Sequence, residues 1–182
     1  MCEHEYVLRS LNADVIRVRR PEELGRVAGL VIPGGESSVI DKLSRQFGLQ
    51  QPIRDAIAKG MPVLGTCAGL IMLAETVADA IEGQESFGGL DVVVRRNAFG
   101  RQTESFEAEL DVAALGAPPV RAAFIRGPVV ESVGDRAAVL AALEDGRVVA
   151  VEQGNLIGLS FHPEITGERR FHERLLARTA AR

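Results

Sequence analysis

At residues 62–70 the chain reads Pro-Val-Leu-Gly-Thr-Cys-Ala-Gly-Leu, an apolar run that contains the pattern Gly-x-Cys-x-Gly. Pro62–Thr66 predicts a short buried strand, and Ala68–Ala74 predicts a helix directly after it. A sharp turn from strand to helix lifts the side chain at its tip out of the sheet, and glycines relieve the crowding there. A cysteine that is only buried needs no such neighbours, so we interpret Cys67 as a nucleophile.

The sequence on both sides of this turn alternates short apolar strands with helical stretches. This pattern favours an α/β fold with a mostly parallel central sheet flanked by helices. After Leu90 the strands follow one another without a long helix, so an added antiparallel or mixed section is expected. The predicted helices are Glu3–Leu11, Ser37–Phe47, Pro52–Lys59, Ala68–Ala74 and Gly167–Ala180. The predicted strands are Asp14–Val18, Gly29–Ile32, Pro62–Thr66, Asp91–Val94, Ser105–Leu110, Val120–Ile125, Ala138–Leu143, Val148–Glu152 and Leu156–Phe161.

The bulk properties exclude several classes of protein. The length of 182 residues suits one domain, 1–182, and no run approaches the roughly 18–20 apolar residues of a membrane span. A formal net charge of -4 argues against nucleic acid as a partner, because phosphate binding needs a basic surface. The two cysteines, Cys2 and Cys67, form no zinc-ligand pattern with histidines. We therefore expect a cytoplasmic protein without disulfides, metal or membrane contact.

Cys67 needs a base, and the chain has three histidines. His4 and His172 fall in presumed surface helices, where a solvated histidine is expected. His162 lies at the end of an apolar strand, where sites collect in open α/β sheets. Glu164 is two residues further on, and in extended chain it points the same way as His162. The pattern predicts a triad in which His162 is the base and Glu164 orients it.

A second glycine-rich turn follows the strand at Gly29–Ile32. It reads Pro33-Gly34-Gly35-Glu36-Ser37-Ser38, and we expect Ser37 to be the N-cap of the following helix. It can be a plain turn between strand and helix. In the functional interpretation, the amides of Gly35 and Ala68 stabilise the oxyanion of a tetrahedral intermediate. The backbone at 35–37 would also hold a small substrate.

These motifs resemble those of class I glutamine amidotransferases, which carry the elbow Gly65-Thr66-Cys67-Ala68-Gly69 and the closing Phe161-His162-Pro163-Glu164. The resemblance implies a Rossmann-like fold and a Cys-His-Glu triad that hydrolyses the side-chain amide of glutamine. Further segments are similar to one branch of that family, the glutaminase subunits of pyridoxal 5′-phosphate synthase. They are Arg19–Leu24, Pro33–Ser38, Arg96–Gln102, Ser105–Ala108 and Phe124–Pro128, so that the resemblance covers nearly the whole chain.

The resemblance also implies a ligand, a partner and a product. L-Glutamine would be bound by Gly35, Glu36, Ser37, Arg96, Ile125 and Arg126, and arginine and backbone groups suit its α-carboxylate. No cofactor is implied. Ammonia would pass to a barrel-type synthase subunit, in a hetero-oligomeric ring-like complex, for vitamin B6 biosynthesis. Free ammonia is mostly protonated at neutral pH, which itself favours delivery through a protected path.

The chain departs from this family at its start. Members normally begin with a hydrophobic strand and a Leu-Gln-Gly loop, and none precedes Glu3-His4. Loss of a central strand would remove buried aliphatic side chains and expose unpaired edges on both neighbours. We therefore expect a misassigned start codon: an internal GTG codon, which encodes valine, was read as the start and gives Met1.

Three alternatives stay open at this level. The chain could feed ammonia to another acceptor, against which the Arg96–Gln102 and Ile125–Pro128 segments argue. It could be a non-catalytic or impaired binding subunit that lacks the first strand, although its triad is intact. It could be a thiol peptidase of related architecture, in which the histidine usually follows the cysteine more closely.

Overall fold

The structure is a computed structural model that describes residues 2–96, 98 and 105–180. Its helices are α1 Cys2–Ser10, α2 Pro21–Leu24, α3 Ser37–Gln46, α4 Gln50–Ala58, α5 Ala68–Leu73, α6 Pro163–Thr166 and α7 Arg170–Ala180. Its strands are β1 Leu30–Ile32, β2 Val63–Thr66, β3 Ala74–Val77, β4 Leu90–Arg95, β5 Phe106–Leu110, β6 Val120–Phe124, β7 Val129–Val133, β8 Ala138–Ala142, β9 Val148–Gln153 and β10 Leu156–Leu159. Most of the predicted motif at 96–102 lies outside the described residues.

One mixed sheet forms the centre of the described structure. Its strands run in the order β1-β2-β10-β9-β7-β4-β3, and β8 pairs with β9. β2 is parallel to both β1 and β10, and β3 is parallel to β4, whereas the other pairs in this sheet are antiparallel. β5 and β6 form a separate antiparallel pair. The predicted antiparallel section is therefore mostly a continuation of the central sheet.

The middle strands are apolar on both faces because both faces are covered. Every residue of β2 and β10 is buried. Successive side chains of a strand point to opposite faces, so Val63 packs into one core cluster and Leu64 into the other. The first cluster includes residues of α5, and the second includes Phe171 and Leu175 of α7. This packing fixes the carboxyl ends of β2 and β10 next to each other.

The predicted strand at Asp14–Val18 is wrong, because this segment pairs with no strand in the described part of the chain. A groove of about 670 Å³ lies beside it, lined by residues 13–19, by β1 and by three residues of α7. β1 is an edge of the sheet. A strand is defined by hydrogen bonds to a neighbouring strand. Residues 14–18 have no such neighbour among the described strands, because the groove lies beside them.

Some short helices and strands were not predicted from the sequence. β3 follows α5 without an intervening turn, and α6 is a single helical turn that begins at Pro163. Gly167, with φ of 76°, ends α6, so that the last helix begins at Arg170 rather than at Gly167. Among the described residues, no helix has the length and apolar character needed to cross a membrane.

Candidate active site

The turn between β2 and α5 holds Cys67 in an unusual backbone conformation. Its φ is 52° and its ψ is -105°, a combination that side-chain-bearing residues rarely adopt. The Cys67 amide donates to the Leu159 carbonyl of β10 at 2.7 Å, which ties the turn to the neighbouring strand. A Cβ at Gly65 would lie 2.5 Å from the Gly69 carbonyl oxygen, so the two glycines of the pattern pack against each other.

His162 and Glu164 follow β10 and lie beside the turn. His162 Nδ1 donates to Glu164 Oε1 at 2.8 Å, and the two side chains are 13% and 7% exposed. The His162 amide donates to the Ala123 carbonyl of β6 at 3.0 Å. The expectation that the chain is extended between His162 and Glu164 is wrong. Pro163 is the first residue of α6, a position that suits its fixed φ, and the helical turn brings Glu164 back to His162.

The ring of His162 interacts with Cys67 on one side and with Glu164 on the other. Burial of the ring opposes protonation, but hydrogen bonds to Cys67 and to Glu164 outweigh it and raise the pKa of His162 to about 9. Burial also works to raise the pKa of Glu164, and the hydrogen bond from His162 instead holds it below its ordinary value. At neutral pH the site therefore contains an imidazolium between a carboxylate and a sulfur atom.

The glycine-rich turn after β1 packs directly on His162. A Cβ at Gly34 would collide with the Cε1 atom of the His162 ring, closer than real Cβ contacts come. Gly35 follows with φ of 142°, a conformation that favours glycine. A cavity of about 250 Å³ at this point is lined by Glu3, Pro33, Gly34, His162, Glu164 and Ile165. Gly35 directly follows Gly34, and Ala68 directly follows Cys67. Both residues are therefore next in sequence to a residue that packs against or interacts with His162.

Three of the predicted substrate-binding residues belong to one polar network. Arg96, which is buried, donates to Glu36 Oε1 at 2.7 Å and to Gln84 Oε1 at 3.1 Å. Gln84 Nε2 in turn donates to Ser37 Oγ at 3.0 Å. Gln84 was not predicted, because it lies in a loop without a motif and its role depends on a contact with α3.

Ile125 and Arg126 are exposed in the bend that follows β6. Arg126 has a φ of 48°. The bond between Ala123 and the His162 amide joins the end of β6 to the site. Among the described residues, no hydrogen bond links these two side chains to the network around Arg96.

The expectation that His4 and His172 are solvated is wrong. His4 is 3% exposed and His172 is fully buried, because α1 and α7 both cover the site from behind. His4 Nε2 lies 3.2 Å from Thr66 Oγ1 and 3.4 Å from Glu164 Oε1. Within the part of the chain that the structure describes, no group of three or more His, Cys, Asp or Glu side chains is placed to hold a metal ion.

Comparison with known proteins places the chain in a family. The profile of the SNO glutamine amidotransferase family matches residues 1–180. A protein named pyridoxal 5'-phosphate synthase subunit PdxT from Leifsonia xyli subsp. xyli is 65% identical over 180 residues, which are 99% of this chain and 91% of that protein. A protein of the same name from Clavibacter sepedonicus is 64% identical over 174 residues, which are 96% of this chain and 83% of that protein.

Solved structures share the fold. The crystal structure of a glutamine amidotransferase superposes with a TM-score of 0.90 at 40% identity, covering 98% of this chain and 93% of that one. A glutamine amidotransferase from Thermotoga maritima gives a TM-score of 0.61 at 19% identity, covering 96% of this chain and 76% of that one. The predicted Rossmann-like amidotransferase fold is confirmed.

Proposed function

Since the chain belongs to the SNO glutamine amidotransferase family, we propose that it hydrolyses L-glutamine to L-glutamate and ammonia through a thioester on Cys67. The observation that carries this proposal is the arrangement of Cys67, His162 and Glu164 at adjoining strand ends, with His162 bonded to both partners. We also propose that residues 1–182 form one glutaminase domain. The family match over residues 1–180 supports it.

The chemistry proceeds in two halves. The Cys67 thiolate attacks the side-chain carbonyl carbon of glutamine, and the amides of Gly35 and Ala68 stabilise the resulting oxyanion. The His162 imidazolium gives its proton to the departing nitrogen, so that ammonia leaves and a glutamyl thioester remains. Neutral His162 then takes a proton from water, which attacks the thioester. Glutamate departs, the Cys67 thiolate re-forms, and His162 is again protonated. No step calls for a metal or an organic cofactor.

The substrate is proposed to bind between the glycine-rich turn and the Arg96 network. The Glu36 carboxylate and the Arg96 guanidinium suit the α-ammonium and α-carboxylate of an amino acid, with Ser37, Ile125 and Arg126 completing the set. Support comes from the bonds that hold Arg96 between Glu36 and Gln84, because a guanidinium fixed on one side offers its remaining donors in a defined direction.

The ammonia is proposed to pass to the synthase subunit of pyridoxal 5′-phosphate synthase, in a hetero-oligomeric complex in the cytoplasm. The relatives that are 64–65% identical are named as subunits of that enzyme, which supports this acceptor over another one. A glutaminase that released ammonia into water would lose most of it to protonation.

The proposed reaction is tested by measuring glutamate released from glutamine by the chain, with and without the matching synthase subunit. We expect release that increases with the synthase subunit and is abolished in Cys67→Ala. Val39→Ala, at a half-exposed position of α3, serves as a folded control and should retain activity. A Cys67→Ala chain as active as the parent would disprove the thioester route. No release under any condition would favour a non-catalytic binding subunit.

The proposed substrate site is tested with a pair of adjacent arginines. Arg96→Lys removes the planar fork that reaches Glu36 and Gln84, and we expect the KM for glutamine to rise about tenfold with little change in kcat. Arg95→Lys is the matched control, because Arg95 is half-exposed and pairs with Glu131 on β7. Equal KM values in the two variants would exclude Arg96 from glutamine binding.

A further inference from the structure

Behind the triad, a row of buried side chains continues away from the proposed substrate site. Glu164 Oε1, which accepts from His162, is also 3.4 Å from His4 Nε2. His4 Nδ1 is 2.9 Å from His172 Nε2, and the two imidazole rings are tilted with centroids 5.2 Å apart. The row therefore runs Cys67, His162, Glu164, His4, His172, and its last two members are at most 3% exposed.

One proton arrangement of two neutral rings suits the contact with Glu164. A carboxylate oxygen only accepts, so the His4 nitrogen that faces it must carry a hydrogen. A neutral His4 with hydrogen on Nε2 has a bare Nδ1, which accepts from His172 Nε2–H. In a neutral His172, the remaining nitrogen, Nδ1, is then bare. Burial, countered in part by Glu164, lowers the pKa of His4, and burial together with His4 lowers that of His172 to about 4, which keeps both rings neutral.

The contact with His4 matters for the orientation of the Glu164 carboxylate, because only one of its two oxygens has a polar partner in the part of the chain that the structure describes. Glu164 Oε2 is buried and has no hydrogen-bond partner in the described residues, so the polar contacts of the carboxylate are those of Oε1. His162 Nδ1 donates to Oε1 at 2.8 Å, and His4 Nε2 approaches the same oxygen to 3.4 Å, so that both imidazole rings face this one oxygen. Thr66 Oγ1, the last residue of β2 before Cys67, contacts the same nitrogen of His4 at 3.2 Å and keeps the ring in place.

We propose that His4 is a positioning residue of the proposed glutaminase, which holds the Glu164 carboxylate in the orientation that orients His162. This inference rests on the proposed function for its kinetic consequences. Its structural content, the contact between His4 and Glu164, stands separately. His4 reaches the triad because α1 packs against α6, so the amino-terminal helix is part of the machinery that aligns the base.

The kinetic test uses the chain in complex with its synthase subunit and compares His4→Leu with His4→Gln. Leucine removes the donor, whereas the glutamine amide can place an N–H close to the position of Nε2. We expect kcat to fall about tenfold in His4→Leu with KM nearly unchanged, and to recover largely in His4→Gln. Val7→Ala is the control, since it loosens the packing of the same helix through a buried side chain that has no hydrogen-bond donor.

A spectroscopic test is independent of turnover. Nitrogen-15 NMR of the histidine rings should show hydrogen on Nε2 and a bare Nδ1 in His4, and the low-field proton on His162 Nδ1 should shift in His4→Leu but not in Val7→Ala. An active parent chain whose kcat falls equally in His4→Leu and Val7→Ala at equal loss of Tm would overturn the proposal. Hydrogen on His4 Nδ1, with Nε2 bare, would also overturn it, even if the chain released no glutamate. If His4→Leu did not fold, His4→Gln and the parent spectrum would decide.

Discussion

At the scale of single residues, the proposed site depends on side chains that are absent as much as on those that are present. Gly34 packs against the His162 ring, and a Cβ at this position would collide with the ring atom Cε1. Gly65 and Gly69 allow the turn that carries Cys67 to come close to β1 and α5. The glycines therefore set the position of the base and of the nucleophile.

Gly34→Ala should displace His162 without unfolding the chain, because the side chain that must move is at the edge of a cavity. We expect kcat to fall about 100-fold, since a misplacement of about 1 Å has that effect in many active sites. The control is Gly25→Ala, where the added Cβ would meet nothing closer than the Glu22 carbonyl oxygen at 3.8 Å. Steady-state kinetics of the two variants decide, and equal rates would contradict the contact.

The pH dependence of the reaction should report His162. Its pKa is raised to about 9 by Cys67 and Glu164 against the effect of burial, so its protonated form stabilises the folded state. That contribution is complete below the ordinary pKa of 6.5 and is lost as the pH rises through about 9. We expect kcat/KM and Tm both to decline as the pH rises through about 9. Glu164→Gln should move the decline in kcat/KM to lower pH, and an unmoved profile would assign it to another group.

At the scale of elements, the strand-to-helix turn and the strand before His162 could be predicted, because runs such as 63–66 and 156–159 are apolar throughout. The burial of His4 and His172 could not. The sequence of α1 or α7 gives the pattern of its own faces, whereas the burial of these rings depends on which other element covers them. The segment Asp14–Val18 has a strand-like pattern, but a pattern supplies no hydrogen-bonded neighbour.

The close packing of α5 on β1 makes a prediction at this scale. A Cβ at Gly69 would overlap the Ile32 carbonyl oxygen and lie 2.9 Å from its carbonyl carbon, and backbone atoms cannot turn aside as a side chain does. Gly69→Ala should therefore lower the free energy of unfolding by about 1–3 kcal/mol, despite the better helix propensity of alanine. Urea denaturation beside Gly25→Ala measures it. A stabilised Gly69→Ala chain would show that α5 is free to shift.

At the scale of the whole molecule, a row of phenylalanines joins the separate strand pair to the main body. Phe106 stacks on Phe124 with ring centroids 4.7 Å apart. Phe124 meets Phe161 edge-on at 5.6 Å, and Phe161 meets Phe171 of α7 at 5.7 Å. Phe161 directly precedes His162, so the row couples the β5–β6 pair and the last helix to the site.

Phe124→Ala should destabilise the whole molecule. Phe124 is fully buried at the centre of this row, and we expect the free energy of unfolding to fall by about 3–5 kcal/mol. Phe47→Ala is the control, because Phe47 is 54% exposed and should change the stability little. A single urea transition that moves only for Phe124→Ala is expected. A separate early transition would mean that the β5–β6 pair unfolds on its own.

The groove between residues 13–19 and β1 has a consequence for the behaviour of the protein in concentrated solution. An open strand edge beside an apolar hollow is a template on which a second polypeptide can aggregate. Exposed arginines at 17, 19 and 26 line this hollow, against the acids Glu5 and Asp14. Arg17 pairs with Glu5, and three arginines against two acids leave this face with a net charge of +1, so two copies that meet through it repel each other only weakly. Because dissolved ions screen that repulsion, added salt weakens the protection that keeps the open edges of neighbouring molecules apart.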